Sequence, residues 1–359
     1  MRFTLLNPGP VSLSDGVRKA AIKADLCHRE PEYFSLQDRV RSGLLDVYGL
    51  DDQTWTSVLL GGSGTTALEA MMSSLLPRDA DLLVIENGVY GERISRIAEI
   101  HGVAFHAVKH DWTDPIDLDR VADALSAGKF THLAAVHHET TTGRLNDVDA
   151  LVKLSEQNGV QLLLDAVSSF GAEHIPFDSP ALAGCAGTAN KCLHGIPGLC
   201  FVICRRQALE NSVEPPRSLY LHLPLWAEKQ DQQGTPFTPA VNSVLALEKA
   251  LEELAGQGGW QARHAHYTQL ASQVKRSLAA NGVEPLLSPG ESSCVLNAYH
   301  LPEGKTYEQV HDGLKQRGFV IYAGQGSLVT EMFRISTMGD ISHYDMERLL
   351  AALHAVFSG

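Results

Sequence analysis

The chain has 359 residues, 44% of them hydrophobic and 20% charged, an ordinary balance for a globular protein with one large domain and a smaller one. A net charge of −13 argues against nucleic acid or an anionic membrane as partner, so any anionic ligand needs a local positive site. No apolar run reaches the roughly 20 residues that span a bilayer, and proline breaks the N-terminus too early for a signal peptide, so the expected compartment is the cytoplasm.

Near-continuous apolar runs at 56–60, 82–85, 132–136, 162–164 and 199–203 predict strands buried on both faces of a mostly parallel sheet. Helical patterns lie between them. Leu68, Met71, Met72 and Leu75 repeat as one helical face, and the helix predicted over 147–157 is stopped by Asn158-Gly159. This alternation predicts an α/β fold. A polar, turn-rich stretch at 228–239 breaks the pattern. A helix is predicted over 241–254, and Gly256 to Gly259 punctuate the chain. The last hundred residues read as α+β, with strands at 294–296, 319–322 and 333–336 and helices at 307–317 and 344–356. The expected division is an N-terminal segment 1–15, a large domain 16–245 and a small C-terminal domain 246–359.

Cysteines stand at 27, 185, 192, 200, 204 and 294, with no Cys-x-x-Cys pair. Buried, reduced thiols are expected, and no metal site. His137 and His138 would point to opposite faces of a strand, which makes them poor joint ligands. His264 and His266 lie in a helical pattern and receive no role.

Lys191 follows the strand ending in Asp165 and sits in a loop of small residues. A lysine amine can form an imine with a cofactor aldehyde, and a carboxylate can hold a pyridine nitrogen protonated. Alone, each has an ordinary reading: a solvated lysine and a turn aspartate. The loop Gly61-Gly62-Ser63-Gly64-Thr65-Thr66 joins a strand to a helix N-terminus, which suits either a phosphate cradle or a capped tight turn. Tyr90, flanked by glycines, could lie against a cofactor ring or pack on its own helix. Thr140 could bond a cofactor oxygen or cap its turn. All these residues follow strand ends on one edge, where open α/β sheets bind ligands.

The chain resembles the fold-type I pyridoxal-phosphate enzymes, in the alanine–glyoxylate/serine–pyruvate branch of the class V aminotransferases. The residues that carry the resemblance are Asn7-Pro8-Gly9-Pro10-Val11, Cys27-His28-Arg29-Glu30-Pro31-Glu32, Ser63-Gly64-Thr65, Asn87-Gly88-Val89-Tyr90-Gly91, His138-Glu139-Thr140-Thr141-Thr142-Gly143, Asp165-Ala166-Val167-Ser168-Ser169, Ala189-Asn190-Lys191-Cys192 and Phe333-Arg334-Ile335. Val167 and Ser336 stand where the family pattern has Met and Gly. The resemblance implies pyridoxal 5′-phosphate as cofactor, with Lys191 and Asp165 catalytic. Ser63, Gly64 and Thr65 would hold the phosphate, Tyr90 the ring face and Thr140 the ring's 3′ oxygen, with Val167 and Asn190 beside them. Thr238 would reach the phosphate of a neighbouring subunit, so a homodimer with shared sites is implied. Arg334 would clamp the substrate's acidic group. Arg29 is a second candidate there, although an ion-paired surface turn with Glu30 and Glu32 is its default reading. The activity implied is transfer of an amino group from 2-aminoethylphosphonate to pyruvate, giving phosphonoacetaldehyde and alanine. The alternatives are an alanine or serine aminotransferase using glyoxylate or pyruvate, or a lyase of the same fold.

Overall fold

The computed structural model describes residues 3–212 and 214–358. All five apolar runs of the first two-thirds lie in one seven-stranded sheet. Its order is Trp55–Gly62, Gly198–Arg205, Leu182–Thr188, Gln161–Asp165, His132–Val136, Asp81–Glu86 and Ala104–Lys109. Gly198–Arg205 runs antiparallel to both neighbours, and the other pairings are parallel. Leu59, Leu83, Leu133 and Phe201 enter the core on one face, while Val58, Leu60, Val84 and Leu163 enter the core on the other. Two buried faces explain why these strands read as unbroken apolar runs.

Two strands carried no such signal. Ala104–Lys109 is the sheet edge, and most of its side chains meet solvent. Leu182–Thr188 is built from small residues. A Cβ on Gly187 would stand 2.3 Å from the Phe201 ring, and one on Gly184 would stand 3.0 Å from the Ile203 carbonyl. Close approach by the neighbouring strand selects against the bulky residues that mark a strand in sequence.

Helix Gly64–Leu75 buries Leu68, Met71, Met72 and Leu75 as predicted. Each such side chain stabilises the fold by roughly 1.5–3 kcal/mol relative to exposure. Helix Val148–Asn158 ends at Gly159, whose φ of 66° is the left-handed cap that glycine tolerates best. The polar stretch at 228–239 is corrected in part, because helix Leu223–Asp231 runs into it. Gln230 is buried there. It accepts from the Leu59 amide at 3.1 Å and donates to the Leu59 carbonyl at 2.8 Å, satisfying an edge strand.

Beyond it, helix Val241–Gly256 is continuous, and its Val244, Leu247, Leu251 and Leu254 join the core of the large sheet. The long helix Gly259–Ala279 follows. A three-stranded antiparallel sheet, ordered Leu296–His300, Met332–Ser336 and Tyr322–Ala323, packs with helices Tyr307–Gln316 and His343–Phe357. The chain's start is tied to this region, since Thr4–Leu5 pairs parallel with Phe319–Val320. All six cysteines are free. Five are buried, but Cys27 is exposed, contrary to expectation, because it lies on the surface turn before helix Pro31–Asp46.

Candidate active site

The strands ending at Gly62, Glu86, Val136 and Asp165 all finish on one edge of the sheet. A cavity of about 160 Å³ opens there, walled by Ser63, Gly64, Thr65, Tyr90, Asp165, Val167, Asn190 and Lys191. Eight of the expected residues thus meet in one place. Leu68, Arg93 and Thr188 line it as well.

Lys191 is held by the chain's start. Its Nζ donates to the Pro8 carbonyl. Gly9 has a φ of 110°, and a Cβ there would stand 2.7 Å from Lys191 Cδ, so only glycine suits both the backbone and the lysine's passage. Thr188 Oγ1 donates to Asn190 Oδ1 at 2.8 Å and shapes the turn that presents the lysine. Burial pushes the amine down to about 8, and the nearby charges of Arg334 and Arg93 act in the same direction.

Asp165 is buried and accepts the Val167 amide at 3.0 Å. Burial raises its carboxyl to about 6, against the pull of that amide and of Arg93 and Lys191. At neutral pH it remains mostly ionised, and among the described residues no cation forms an ion pair with it. A protonated ring nitrogen would supply one.

At Ser63 the helix Gly64–Leu75 begins, and Ser63 N donates to Thr66 Oγ1 at 3.2 Å. Helix starts leave backbone amides free for an anion. A Cβ on Gly64 would lie 2.5 Å from Val167 Cγ1, so glycine lets the loop close over the Asp165 strand.

Two residues without an expected role organise the Tyr90 side. The Arg93 guanidinium lies 4.5 Å from the Tyr90 ring centroid and donates to Thr65 Oγ1 at 3.2 Å. Tyr90 and Arg93 are three apart on a helix, and that spacing was the available signal. Glu139 is wholly buried. It accepts the amides of Tyr90 at 3.2 Å and Gly91 at 3.3 Å, and the Thr141 hydroxyl at 2.6 Å. Burial pushes its carboxyl up to about 7, against those hydrogen bonds. A Cβ on Gly88 would meet Glu139 Cδ at 2.3 Å, so the Asn87-Gly88 turn and this acid fit as one unit.

Arg334 is only 2% exposed. Its Nε donates to the Ala323 carbonyl at 2.8 Å, and its Nη1 donates to the Thr140 carbonyl at 2.7 Å and to Gln325 Oε1 at 3.2 Å. The small sheet is thereby fastened to the Thr140 turn. Burial lowers the guanidinium's pKa from its usual value. Arg29 and Thr238 are exposed and lie apart from the cavity within one chain. Arg29, Glu30 and Glu32 all lie exposed at the surface.

The depressed lysine has a testable consequence. Half of Lys191 is neutral near pH 8, so capture of a simple aromatic aldehyde by the apoprotein should rise with pH and level off above about pH 8. Borohydride trapping across a pH series, with Lys191→Ala as background, checks this. A rate still climbing steeply at pH 10 would contradict it. The linkage sign agrees: the unfolded lysine keeps its proton to about 10.5 and the folded one loses it near 8, so its burial costs stability below pH 8, and the cost fades as pH rises to 10.5.

Residues 34–349 match the family model described as aminotransferase class-V. A 2-aminoethylphosphonate–pyruvate transaminase of Vibrio cholerae serotype O1 is 38% identical, covering 99% of this chain and 98% of that protein. One from Phocaeicola vulgatus is 33% identical over 99% of each. Among solved structures, an aspartate aminotransferase of subgroup IV from Thermus thermophilus superposes with a TM-score of 0.90 at 29% identity, over 99% of both chains. A pyridoxamine–pyruvate aminotransferase from Mesorhizobium loti gives 0.90 at 25% identity, over 100% of this chain and 93% of that one. A full-length match of this kind, on a chain whose lysine, aspartate and glycine loop meet at one sheet edge, places it in the class V aminotransferase family.

Proposed function

We propose that the protein is a pyridoxal-phosphate-dependent aminotransferase that moves an amino group from 2-aminoethylphosphonate to pyruvate. The observation that carries the chemistry is the meeting of Lys191, Asp165 and the Ser63–Thr65 loop in one cavity. The donor set fits the cofactor: a half-buried lysine whose amine is lowered to about 8, a buried carboxylate, and a glycine-containing helix start suited to phosphate. Substrate identity is supported by the names of the relatives that match over full length.

Bound pyridoxal phosphate supplies an aldehyde for imine exchange and a ring that accepts electrons from the substrate carbon. Ser63, Gly64 and Thr65 would hold its phosphate and Tyr90 its ring face, with Val167 and Asn190 in the same cavity wall, and Thr140 would serve the ring's 3′ oxygen. Asp165 holds a proton-bearing ring nitrogen through its buried carboxylate. Lys191 would hold the aldehyde through Nζ, and the same atom, when free, would take and return the substrate proton. Arg334 receives the phosphonate of the donor and the carboxylate of the acceptor in turn. Arg29 remains the second candidate for the donor's anion.

The test is a panel of amines mixed with the purified holoenzyme and scored by absorbance for conversion to the pyridoxamine form. 2-Aminoethylphosphonate should convert the enzyme fastest, with pyruvate restoring the original spectrum. Faster turnover of alanine or serine would replace the phosphonate reading with a general aminotransferase. Asp165→Asn should slow conversion by orders of magnitude with every amine.

A homodimer belongs to the same proposal. Thr238, exposed in a proline-flanked segment, would reach the phosphate bound by a neighbouring copy. A ligand bridging two chains stabilises their association, so the apoprotein should dimerise more weakly than the holoenzyme. Sedimentation that finds a fully active, cofactor-loaded monomer would overturn this. The division into 1–15, 16–245 and 246–359 belongs to the same proposal, and helix Val241–Gly256, which spans the second boundary, adds Val244, Leu247, Leu251 and Leu254 to the core of the large sheet. Six free thiols suit a reducing cytoplasm, and among the described residues no helix is long and apolar enough to cross a membrane.

A further inference from the structure

We propose a second site, for a single zinc-like divalent cation, built from Glu173, His264 and Cys294 with the Ala172 carbonyl as fourth ligand. The three side chains come from distant parts of the chain: the turn after the Asp165 strand, the helix Gly259–Ala279, and the segment entering the strand Leu296–His300. Their ligand atoms all lie within 4.8 Å of one another.

Four of the six ligand-atom spacings are near those of a tetrahedron. With about 2.3 Å to sulfur and about 2.0–2.1 Å to nitrogen or oxygen, ligand atoms stand roughly 3.3–3.6 Å apart. Here His264 Nδ1 is 3.1 Å from Glu173 Oε2, 3.5 Å from Cys294 Sγ and 2.9 Å from the Ala172 carbonyl oxygen. Cys294 Sγ is 3.9 Å from that carbonyl. Shifts of a few tenths of an ångström would seat an ion. The other carboxylate oxygen, Glu173 Oε1, accepts Ser293 Oγ at 2.5 Å and the Cys294 amide at 2.9 Å. Those bonds aim Oε2 at His264 and do the work of an outer shell.

Charge also balances. A thiolate and a carboxylate offset a divalent ion, with the imidazole neutral, so no net charge is buried. Binding releases the Sγ proton to solvent and leaves the imidazole proton on Nε2. A mixed sulfur, nitrogen and oxygen set favours zinc over magnesium or calcium. There is an entry route. Glu173 and the half-exposed His264 line a cavity of about 530 Å³ together with His137, His174 and Asp149. His137, in the wall of the same cavity, is 3% exposed, and its Nδ1 has no hydrogen-bond partner among the described residues. This cavity shares no lining residue with the Lys191 cavity. The ion would be structural, clipping the Asp165 turn to the small domain.

The competing arrangement is a plain hydrogen-bond set, in which His264 Nδ1–H donates to Glu173 and Ala172. The two are separated by metal content. Holoenzyme stripped with a chelator is dialysed against micromolar zinc, and bound metal is counted by mass spectrometry. Wild type and a surface control, His343→Gln, should each bind one equivalent. Cys294→Ser and His264→Gln should bind none, and zinc should raise the thermal midpoint of wild type only relative to these two. Cobalt(II) added to wild type should give tetrahedral visible bands with a sulfur charge-transfer band that Cys294→Ser lacks. No zinc above background in wild type, or undiminished zinc in both ligand variants, would overturn the site.

Discussion

Lys191→Ala is expected to reduce transamination by more than about 10³-fold, because one Nζ is both the cofactor's anchor and the proton carrier, and general acid–base catalysis alone is worth 10²–10⁴. The fold should survive. The lysine is only partly buried, and among the described residues its side chain makes one hydrogen bond, to the Pro8 carbonyl. Its loss opens space beside Gly9 and leaves the sheet untouched. Circular dichroism and a thermal midpoint close to wild type would accompany the loss of turnover and of the imine's visible absorbance. Wild-type turnover with wild-type absorbance would remove Lys191 from the mechanism. The arrangement at Pro8 adds a second expectation. A side chain at residue 9 must displace the lysine stem, so Gly9→Ala should impair cofactor uptake although residue 9 itself carries no chemistry.

Arg334 carries the second large effect. A desolvated, charge-assisted contact with the substrate's acidic group costs roughly 2–5 kcal/mol to remove, about 30- to 5,000-fold in kcat/KM. Arg334→Ala does more than that. It also takes the donor away from the buried Thr140 carbonyl, at about 1–3 kcal/mol, and from the half-buried Ala323 carbonyl, at less. The thermal midpoint should therefore fall along with activity. Arg334→Lys keeps the charge but cannot serve both carbonyls and a substrate oxygen, so rescue should be partial in both readouts. The decisive measurement is the single-turnover rate of each half-reaction. Loss with both 2-aminoethylphosphonate and pyruvate fits one arginine serving both anions. If only pyruvate suffers, another cation holds the phosphonate, with Arg29 and the cavity-lining Arg93 the residues to test. An unchanged rate in both directions would end the assignment.

Much of this was legible in the chain itself. Apolar runs marked five of the seven strands of the large sheet because a residue buried on either face of a sheet is apolar at every position, and no partner need be known to see it. Lys191, Asp165, Tyr90 and the Ser63-Gly64-Thr65 loop were visible because each follows a strand end, and parallel strands bring such ends to one edge. What stayed hidden depended on contacts between distant segments. The strand Leu182–Thr188 is made of small residues because Phe201 and the strand Gly198–Arg205 crowd it. Gln230 looked like a turn residue until the backbone of Leu59 gave it both its hydrogen bonds. Arg334 showed a charge in sequence, but only packing showed that Thr140 and Ala323 hold it. Glu173, His264 and Cys294 share no local spacing, so the chain alone offered no hint of their meeting. Periodicity and local motifs record which residues are buried and where turns must fall. Which polar groups satisfy one another across the fold is decided by tertiary packing, because a buried donor or acceptor takes whatever partner the folded chain brings within reach.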